Sequence, residues 1–379
     1  MRRLLPLLCG LLLAACGQRA ARPIGDFTLP VYTLRYASGF EITGAAGSRS
    51  TLVTVHNPWY GDEVTDQYLF IARDGEPAPA GFEGQVLRDE ARRVVCMSGS
   101  YIAMLDALGA ANRVVGVSGA QYLINETLRR RIARGEAADV GFDSNVDFER
   151  LMALRPDLVM LYGIGGADTA LTGKLRELGI PYLYMGEHCE ESPLGKSEWV
   201  VVAAEIAGLR TEGSRLFAAI PERYERLRAL AQQTAARPRV MLNTPYRDTW
   251  FMPARNSYMV RLLEDAGARY VFEENTATQT LPIDIEQAYY LTSKSDFWLN
   301  VSGCNTLDEV RRQNPRLADT PPVREGRVYD NNRRRNAAGG SDFWESGVLR
   351  PDRVLADLVH IFHPELSETD ELYYYRQLE

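Results

Sequence analysis

The sequence predicts an α/β protein with two Rossmann-like α/β lobes joined by a single long helix, a ligand cleft between the lobes and an N-terminal β add-on. Three observations lead to this fold class. Apolar, strand-like runs alternate with helical patterns on both sides of residues 211–236. That stretch itself has its apolar residues at helical spacing. A block of sequence that precedes it, 147–161, recurs after it at 284–299.

The N-terminus predicts an exported lipoprotein. Two arginines precede an apolar run over 4–15 that is shorter than the roughly 20 residues needed to cross a bilayer. Residues 13–17, Leu-Ala-Ala-Cys-Gly, resemble the bacterial lipobox, in which the cysteine becomes the lipidated first residue. We therefore expect a signal peptide at 1–15, lipid on Cys16 and a tether over 16–26. The protein should be held to a bacterial membrane by lipid alone, facing the periplasm or the cell exterior. The alternative is an ordinary signal peptide with a chance cysteine.

Length and composition narrow the class further. A mature chain of about 360 residues exceeds the usual size of one core and favours two domains. The net charge is −7 and no basic stripe with interleaved aromatics occurs, which argues against nucleic acid as a partner. The cysteines beyond the N-terminus, Cys96, Cys189 and Cys304, lack metal-binding spacing. Cys189 and Cys304 could pair across the cleft in an oxidising compartment, but two free thiols are the simpler expectation.

Residues 27–90 predict a β add-on packed on the first lobe. Alternating segments at 31–36, 52–55 and 68–72 are separated by Gly, Ser and Asp turns, which is typical of strands and hairpins. Residues 73–90, rich in Gly, Pro and acidic residues, are expected to connect this add-on to the first lobe.

The first α/β lobe is predicted over 91–210. Its strands are expected at 93–97, 113–117, 158–162 and 180–185. Its helices are expected at 102–108, 128–133, around Glu149, at 171–178 and within 198–209. Gly109 and Gly179 mark the ends of two of them, since a glycine after the last turn readily takes the left-handed conformation.

The linking helix is predicted over 211–236. Apolar residues such as Phe217, Tyr224 and Leu227 recur at helical spacing along it. Pro221 lacks an N–H donor and its ring clashes with the preceding turn, so we expect a kink or a restart there.

The second α/β lobe is predicted over 237–379. Its strands are expected at 239–243, 270–272, 297–301 and 327–329. Its helices are expected at 258–266, around Glu286, at 307–312 and at 352–362. The lobe should end near Glu365, and the tail that contains residues 373–375, Tyr-Tyr-Tyr, should pack back on the body.

The repeated block suggests an internal duplication. In both copies a short helix begins after an Asp and carries a Glu two residues later, at Glu149 and Glu286. Each helix is followed by a turn ending in Asp157 or Asp296 and then by an apolar strand. A chance match is the alternative, because an Asp-x-Glu helix start is common.

Motifs at 98–110, 113–117 and 140–159 resemble a known family. They are similar to the substrate-binding proteins of ABC importers for iron-siderophores, haem and vitamin B12, those with a helical hinge, over about residues 92–362. The resemblance implies two lobes, a ligand held between them and modest closure. It also implies one surface carboxylate on each lobe that docks with the permease, and the matching positions are Glu149 and Glu286. Solvated helix-face carboxylates are the alternative.

Ligand contacts are expected in the loops that follow the strands, because ligands of α/β sheets lie outside the carboxyl ends of the strands. Arginine suits bidentate capture of carboxylate or phenolate oxygens. Tyr162 could equally be an ordinary packing residue. The Arg333–Arg335 run could equally be solvated surface charge. His188, beside acidic residues, could ligate a metal but is more simply an exposed histidine. The candidates are Ser100, Tyr101 and Tyr162 in the first lobe, and Tyr246, Arg247, Trp250, Arg333 and Trp344 in the second.

These features favour a lipid-anchored binding protein with no intrinsic cofactor and no bound metal of its own. Its ligand is expected to be a chelated metal complex, a ferric siderophore or haem, with a corrinoid as the alternative. Its partners are expected to be the permease dimer of an ABC importer and the ATPase that drives it. An exported hydrolase and a structural surface lipoprotein are alternatives of other classes. No G-x-S-x-G, HExxH or phosphate-loop motif occurs, so we expect no enzyme.

Overall fold

The structure is a computed structural model, and it describes residues 21–59, 65–163, 169–247, 249–277, 279–367 and 371–379. Cys16 and the predicted signal peptide lie outside these residues. No helix in the described ranges is both long and apolar enough to cross a bilayer.

The N-terminal region forms one five-stranded sheet in the order β1-β2-β3-β4-β5. The first four strands pair antiparallel, and β5 runs parallel to β4. Residues 73–90 were expected only to connect the N-terminal sheet to the first lobe. This was wrong for Gln85–Arg88, which forms β5. Its polar ends hid this strand from a periodicity argument. The strands are β1 Leu29–Tyr32, β2 Phe40–Gly44, β3 Thr51–His56, β4 Asp66–Ala72 and β5 Gln85–Arg88.

The first lobe is a parallel five-stranded sheet in the order β10-β9-β6-β7-β8. The predicted strands are present, and the short β8 was missed. Its strands are β6 Val94–Cys96, β7 Val114–Val117, β8 Ala138–Asp139, β9 Leu158–Tyr162 and β10 Tyr182–Met185. Its helices are α1 Gly99–Ala107, α2 Glu126–Ala133, α3 Phe148–Ala153, α4 Ala170–Glu177, α5 Pro193–Glu198 and α6 Val200–Ile206.

Buried carboxylates fix the N-terminal sheet to the first lobe. Glu198 and Glu190 accept the five consecutive backbone amides of residues 35–39 at 2.7–3.0 Å. Glu205 pairs with the Arg73 guanidinium of the N-terminal sheet at 2.8 Å. Hydrogen bonds to ionised groups are stronger than neutral ones, and these three side chains are at most 6% exposed. The N-terminal sheet is therefore an integral layer of the first lobe.

The linking helix is α7, Arg210–Gln232, and it continues through Pro221 as a single element. The expected restart does not occur. One reason is packing: the apolar face that includes Phe217, Tyr224 and Leu227 is buried. Tertiary burial of an amphipathic face supplies most of a helix's stability, which offsets the hydrogen bond that proline lacks.

The second lobe repeats the parallel sheet, in the order β14-β11-β16-β17-β18, with β18 antiparallel at the edge. A separate antiparallel sheet, β12-β13-β15, covers residues that we expected to be loop. The strands are β11 Arg239–Leu242, β12 Pro245–Tyr246, β13 Thr249–Met252, β14 Arg269–Tyr270, β15 Leu281–Ile283, β16 Phe297–Leu299, β17 Val328–Asp330 and β18 Arg376–Gln377. The helices are α8 Tyr258–Asp265, α9 Ile285–Ser293, α10 Leu307–Gln313, α11 Pro321–Arg324, α12 Ser346–Leu349 and α13 Pro351–Phe362.

The C-terminal tail packs on the body, as predicted. The buried Asp357 carboxylate of α13 accepts the backbone amides of residues 373–375 at 2.6–3.0 Å. Tyr374 and Tyr375 are fully buried, and the tail then adds β18 to the second sheet.

Candidate ligand-binding site

An aromatic pair stands at the carboxyl ends of two neighbouring strands of the first lobe. Tyr162 ends β9, and His188 lies three residues beyond β10. Their ring centres are 4.3 Å apart, and His188 Nε2 lies 2.8 Å from the carbonyl oxygen of Gly163. His188 is half-buried, so the expectation of an exposed histidine was wrong. Burial lowers the pKa of His188 to about 4, which keeps its imidazole neutral, and the Gly163 carbonyl places the ring proton on Nε2.

Glu187, directly before His188, carries a buried carboxyl group. The Ser100 hydroxyl donates to Glu187 Oε1 at 2.9 Å, and the second oxygen of Glu187 has no hydrogen-bond partner among the described residues. Burial raises the pKa of Glu187 to about 7, although the Lys196 ammonium opposes the shift. Lys196 Nζ also donates to the Glu187 carbonyl at 2.8 Å. Burial therefore favours the protonated form of this carboxyl group.

Tyr101 does not belong to the accessible site. It is fully buried, and its hydroxyl donates to the carbonyl of Leu161 at 3.2 Å. Its place in the core corrects the expectation that it touches ligand. The burial also raises its pKa, so the phenol stays protonated. Through Leu161 it fixes the end of the strand that carries Tyr162.

The second lobe contributes an exposed aromatic hairpin. Tyr246 is 68% exposed and Phe251 is 41% exposed, on β12 and β13. Arg247, with a left-handed φ of 57°, lies between these strands, and its guanidinium is 5.4 Å from the centre of the Tyr246 ring. Trp250 points the other way: it is 1% exposed and its indole N–H donates to the carbonyl of Leu242. Trp250 is therefore a core residue, which corrects its predicted ligand contact.

Arg333 and Trp344 contact residues outside the aromatic hairpin. The Arg333 guanidinium pairs with Glu371 of the tail at 3.0 Å, and its backbone N–H donates to Tyr374. Its position after β17 was predicted correctly. Its side chain turns toward the tail, but an exposed ion pair of this kind contributes only about 0–1 kcal/mol, so the ligand contact of Arg333 stays a prediction. Trp344 is 60% exposed and packs edge-on against Phe343, with ring centres 4.8 Å apart.

The two lobes touch each other directly on one side through Glu345. This second-lobe carboxylate accepts the backbone amides of Ile124 and Asn125, first-lobe residues, at 2.9 and 2.6 Å. Asn336 Nδ2 donates to the carbonyls of Gln121 and Leu123 at 2.9 and 3.1 Å. Burial raises the pKa of Glu345 to about 7.

A second interlobe contact involves Glu191, which follows β10. It accepts from Arg261 of α8 at 2.9 Å and also from the Asn256 side chain. Nearby, Lys196 lies 5.0 Å from the centre of the Tyr258 ring at the start of α8. The carboxyl ends of the first sheet are thus tied to the second lobe by charged side chains.

The two predicted docking carboxylates occupy matching places. Glu149 and Glu286 are both exposed and both lie in the first turn of a short helix. Asp147 and Asp284 cap these helices through the same side-chain bond to the amide three residues on. Glu286 pairs with Arg316 at 3.0 Å in an exposed setting.

No group of three or more His, Cys, Asp or Glu side chains that could hold a metal ion occurs within the described ranges. Cys96, Cys189 and Cys304 are free thiols. Sequence reasoning missed the roles of Glu187 and Glu345. A carboxylate two residues after a buried strand was a weak signal for Glu187, whereas Glu345 acts through a contact more than 200 residues away along the chain.

Comparisons with known proteins identify the family and the fold. The sequence model of the periplasmic binding protein family matches residues 94–333. An uncharacterized lipoprotein of Methanocaldococcus jannaschii is 26% identical over 332 residues, covering 82% of this chain and 77% of the relative.

Two solved structures share the fold. A periplasmic heme binding protein from Pseudomonas aeruginosa superposes with a TM-score of 0.58 at 19% identity, covering 76% of this chain and 98% of that chain. A protein of an ABC-type Fe3+-hydroxamate transport system from Saccharomonospora viridis gives a TM-score of 0.53 at 17% identity, covering 72% and 94%. At these identities the likeness establishes the two-lobed architecture.

Proposed function

The chain belongs to the periplasmic binding protein family, and we propose that it captures an iron complex, a haem or a ferric siderophore, and delivers it to the permease of an ABC importer. The observation that carries this proposal is the pairing of Tyr162 and His188 at the strand ends of the first lobe. Of two proteins with a similar structure, one is named a periplasmic heme binding protein and the other belongs to a Fe3+-hydroxamate transport system. The fold is a ligand-binding one, and binding without turnover is the expected activity.

The chemistry of the described side chains suits a metal chelate with planar surface or anionic oxygens, and haem has both. Tyr162 and His188 offer an aromatic face and a neutral imidazole from the first lobe. Tyr246 and Phe251 offer exposed aromatic surface from the second, and Arg247 adds a cation beside them. Aromatic surfaces stack on planar ligands, and guanidinium binds carboxylates or phenolates in a bidentate way.

The experiment is a titration of the purified protein with haemin, with a ferric trihydroxamate and with cobalamin, followed by tryptophan fluorescence and absorption. Saturable binding of haemin or of the ferric trihydroxamate, without chemical change of the ligand, is expected. Selective binding of cobalamin would replace the iron complex by a corrinoid. Turnover of any of the three, or binding of none, would contradict the proposal.

The membrane anchor belongs to the same proposal. Cys16 is the proposed lipidation site, and a relative by sequence carries the name lipoprotein. A lipid chain adds membrane affinity without touching the ligand site. Cys16→Ala protein should therefore move from the membrane fraction to the soluble exported fraction and keep its ligand affinity. Full retention in the membrane fraction would overturn the anchor.

A further inference from the structure

The N-terminal sheet reaches the loops that carry the candidate site. Pro58 and Trp59 follow β3, and both are buried against the first lobe. The Trp59 ring stands edge-on to the ring of Tyr184 in β10, with centres 5.5 Å apart. Trp59 belongs to the apolar cluster on one face of the first-lobe sheet. The N-terminal sheet therefore contributes a core residue to the first lobe, near the carboxyl ends of its strands.

Two glycines allow this close approach. A Cβ placed on Gly163 would come within 2.7 Å of the Pro58 carbonyl oxygen, and one on Gly186 would lie 3.4 Å from the Pro58 Cα. Gly163 is the residue after Tyr162, and Gly186 lies two residues before His188. Neither glycine has a positive φ, so backbone conformation does not require them. Their missing side chains leave room for the turn of the N-terminal sheet.

Trp199 connects the same loop to a second part of the sheet. A Cβ on Gly186 would lie 3.0 Å from the Trp199 ring, and a Cβ on Gly39 would lie 2.9 Å from it. The Trp199 indole N–H donates to Glu190, the carboxylate that also accepts the amide of Gly39. Gly186 thus lies between Pro58, which follows a strand of the N-terminal sheet, and Trp199, a first-lobe residue that also packs on Gly39 of that sheet region.

We propose that the N-terminal sheet is a positioning element of the ligand site, acting through Pro58 and Trp59 on Gly163, which follows Tyr162, and on the strand and turn that lead to His188. The inference rests on the proposed function, because it concerns the affinity of that site. A spacer between membrane and lobes would need none of these buried contacts. The family match begins at residue 94, after all five strands of this sheet, so the sheet adds a support to the site that the matched region does not contain.

The test compares substitutions at the contact with substitutions elsewhere. Gly163→Ala inserts a methyl group against the Pro58 carbonyl, and Trp59→Ala removes the ring that holds the turn on Tyr184. Gly173→Ala is the matched control, because a Cβ there meets nothing within 4 Å. Phe27→Ala is the stability control. Phe27 is buried in a separate cluster of the N-terminal sheet, edge-on to Phe70 at 5.1 Å.

Two measurements are made on each folded variant, the dissociation constants for haemin and a ferric trihydroxamate, and hydrogen exchange of the Cys189 amide. That amide is bonded to the Gly186 carbonyl at 3.0 Å and reports the loop without any ligand. Gly163→Ala and Trp59→Ala should weaken binding about tenfold or more and speed exchange at Cys189, since small displacements of binding groups are costly. Phe27→Ala should lower the melting temperature and leave both readouts at the wild-type value, as should Gly173→Ala.

Wild-type affinity and exchange in both contact variants would overturn the positioning role. So would an equal loss in Phe27→Ala, because the effect would then be general destabilisation. If the wild-type protein binds neither probe, the proposed function fails. The exchange comparison still decides whether the sheet orders the Gly186–Cys189 loop.

Discussion

Asp157 and Asp296 make the same reciprocal contact in the two lobes. Asp157 Oδ2 accepts the backbone amide of Arg93 at 2.8 Å, and its own amide donates to the Arg93 carbonyl at 2.7 Å. Asp296 Oδ2 accepts the amide of Arg239 at 2.7 Å, and its own amide donates to the Arg239 carbonyl at 2.8 Å. Each aspartate thereby sets the start of its strand against the first strand of its lobe. The matched contact supports the duplication that the repeated block suggests.

The pH dependence of stability should reveal the buried Glu187. Burial raises its pKa from the ordinary 4.5 to about 7, so the folded protein holds this proton more tightly than the unfolded chain. Its contribution to stability therefore falls as the pH rises from about 4.5 to about 7 and is constant above that range. Glutamine at 187 cannot ionise. Between pH 4.5 and 7, the unfolding free energy of Glu187→Gln should therefore rise relative to that of the wild type. The rise should reach up to about 3 kcal/mol, because one pKa unit corresponds to about 1.4 kcal/mol.

The measurement is urea unfolding of both proteins at pH 4.5, 6 and 8. Glu345, with a pKa raised to about 7 by burial, and His188, with a pKa lowered to about 4 by burial, also contribute to the wild-type curve. They are present in both proteins, so the difference isolates Glu187. The exposed Glu149→Gln serves as control. A difference that does not change with pH would contradict a neutralised Glu187.

Arg247 and Arg333 should behave differently in ligand binding. Arg247 lies on the exposed aromatic hairpin, whereas the Arg333 guanidinium is paired with Glu371. Arg247→Ala should weaken binding of haemin by about 1 to 3 kcal/mol, the scale of hydrogen bonds to charged groups. Arg333→Ala should lose less affinity, because the Arg333 guanidinium turns toward Glu371 of the tail. Equal losses in isothermal titration would assign Arg333 to the site, and no loss in either would place the anionic group elsewhere.

Glu345 should hold the two lobes together. Replacing it by alanine leaves the half-buried amides of Ile124 and Asn125 without their acceptor, and the loss of each hydrogen bond to a charged group costs about 1 to 3 kcal/mol. We expect the lobes of Glu345→Ala to separate and the radius of gyration from small-angle X-ray scattering to increase. Asp308→Ala, at a carboxylate 74% exposed, is the control. An unchanged radius in Glu345→Ala would mean that other contacts suffice.

The sequence predicts the lobes well because their signals are local. Apolar runs give strands such as Leu158–Tyr162 with the observed bounds, and Gly109 and Gly179 follow two helices with positive φ. The strand β5 was missed because it gains its order by pairing with Ile71 and its neighbours. Local periodicity cannot report a pairing partner.

The attachment of the N-terminal sheet could not be predicted for a different reason. Acidic residues are almost always exposed unless paired, so Glu190 and Glu198 suggest surface. Their partners are the amides of residues 35–39, more than 150 positions earlier along the chain. The candidate site shows the same limit. Tyr162, at the end of β9, lies beside His188 as a candidate contact, whereas Arg333 follows β17 and its side chain turns toward the tail. Position along a strand does not fix where a long side chain points.

The last prediction concerns Glu149 and Glu286. Both carboxylates lie in the first turn of capped helices that precede equivalent strands, one in each lobe. An exposed residue with a large apolar side chain follows each by three positions, Met152 at 44% and Tyr289 at 48% exposure. The Arg316 partner of Glu286 does not block it, because exposed ion pairs contribute only about 0–1 kcal/mol and exchange readily.

Two carboxylates at a fixed separation can match two basic pockets on a dimeric permease, and complementary charge of this kind governs encounter and orientation more than affinity. The double variant Glu149→Arg with Glu286→Arg should therefore abolish uptake through the importer while haemin affinity in solution stays at the wild-type value. The control reverses Glu177 and Asp308, one exposed carboxylate in each lobe outside these helices, and should transport normally. Normal uptake by the Glu149 and Glu286 variant would make both residues ordinary solvated surface. Lost haemin binding with an intact fold would assign them to the cleft instead.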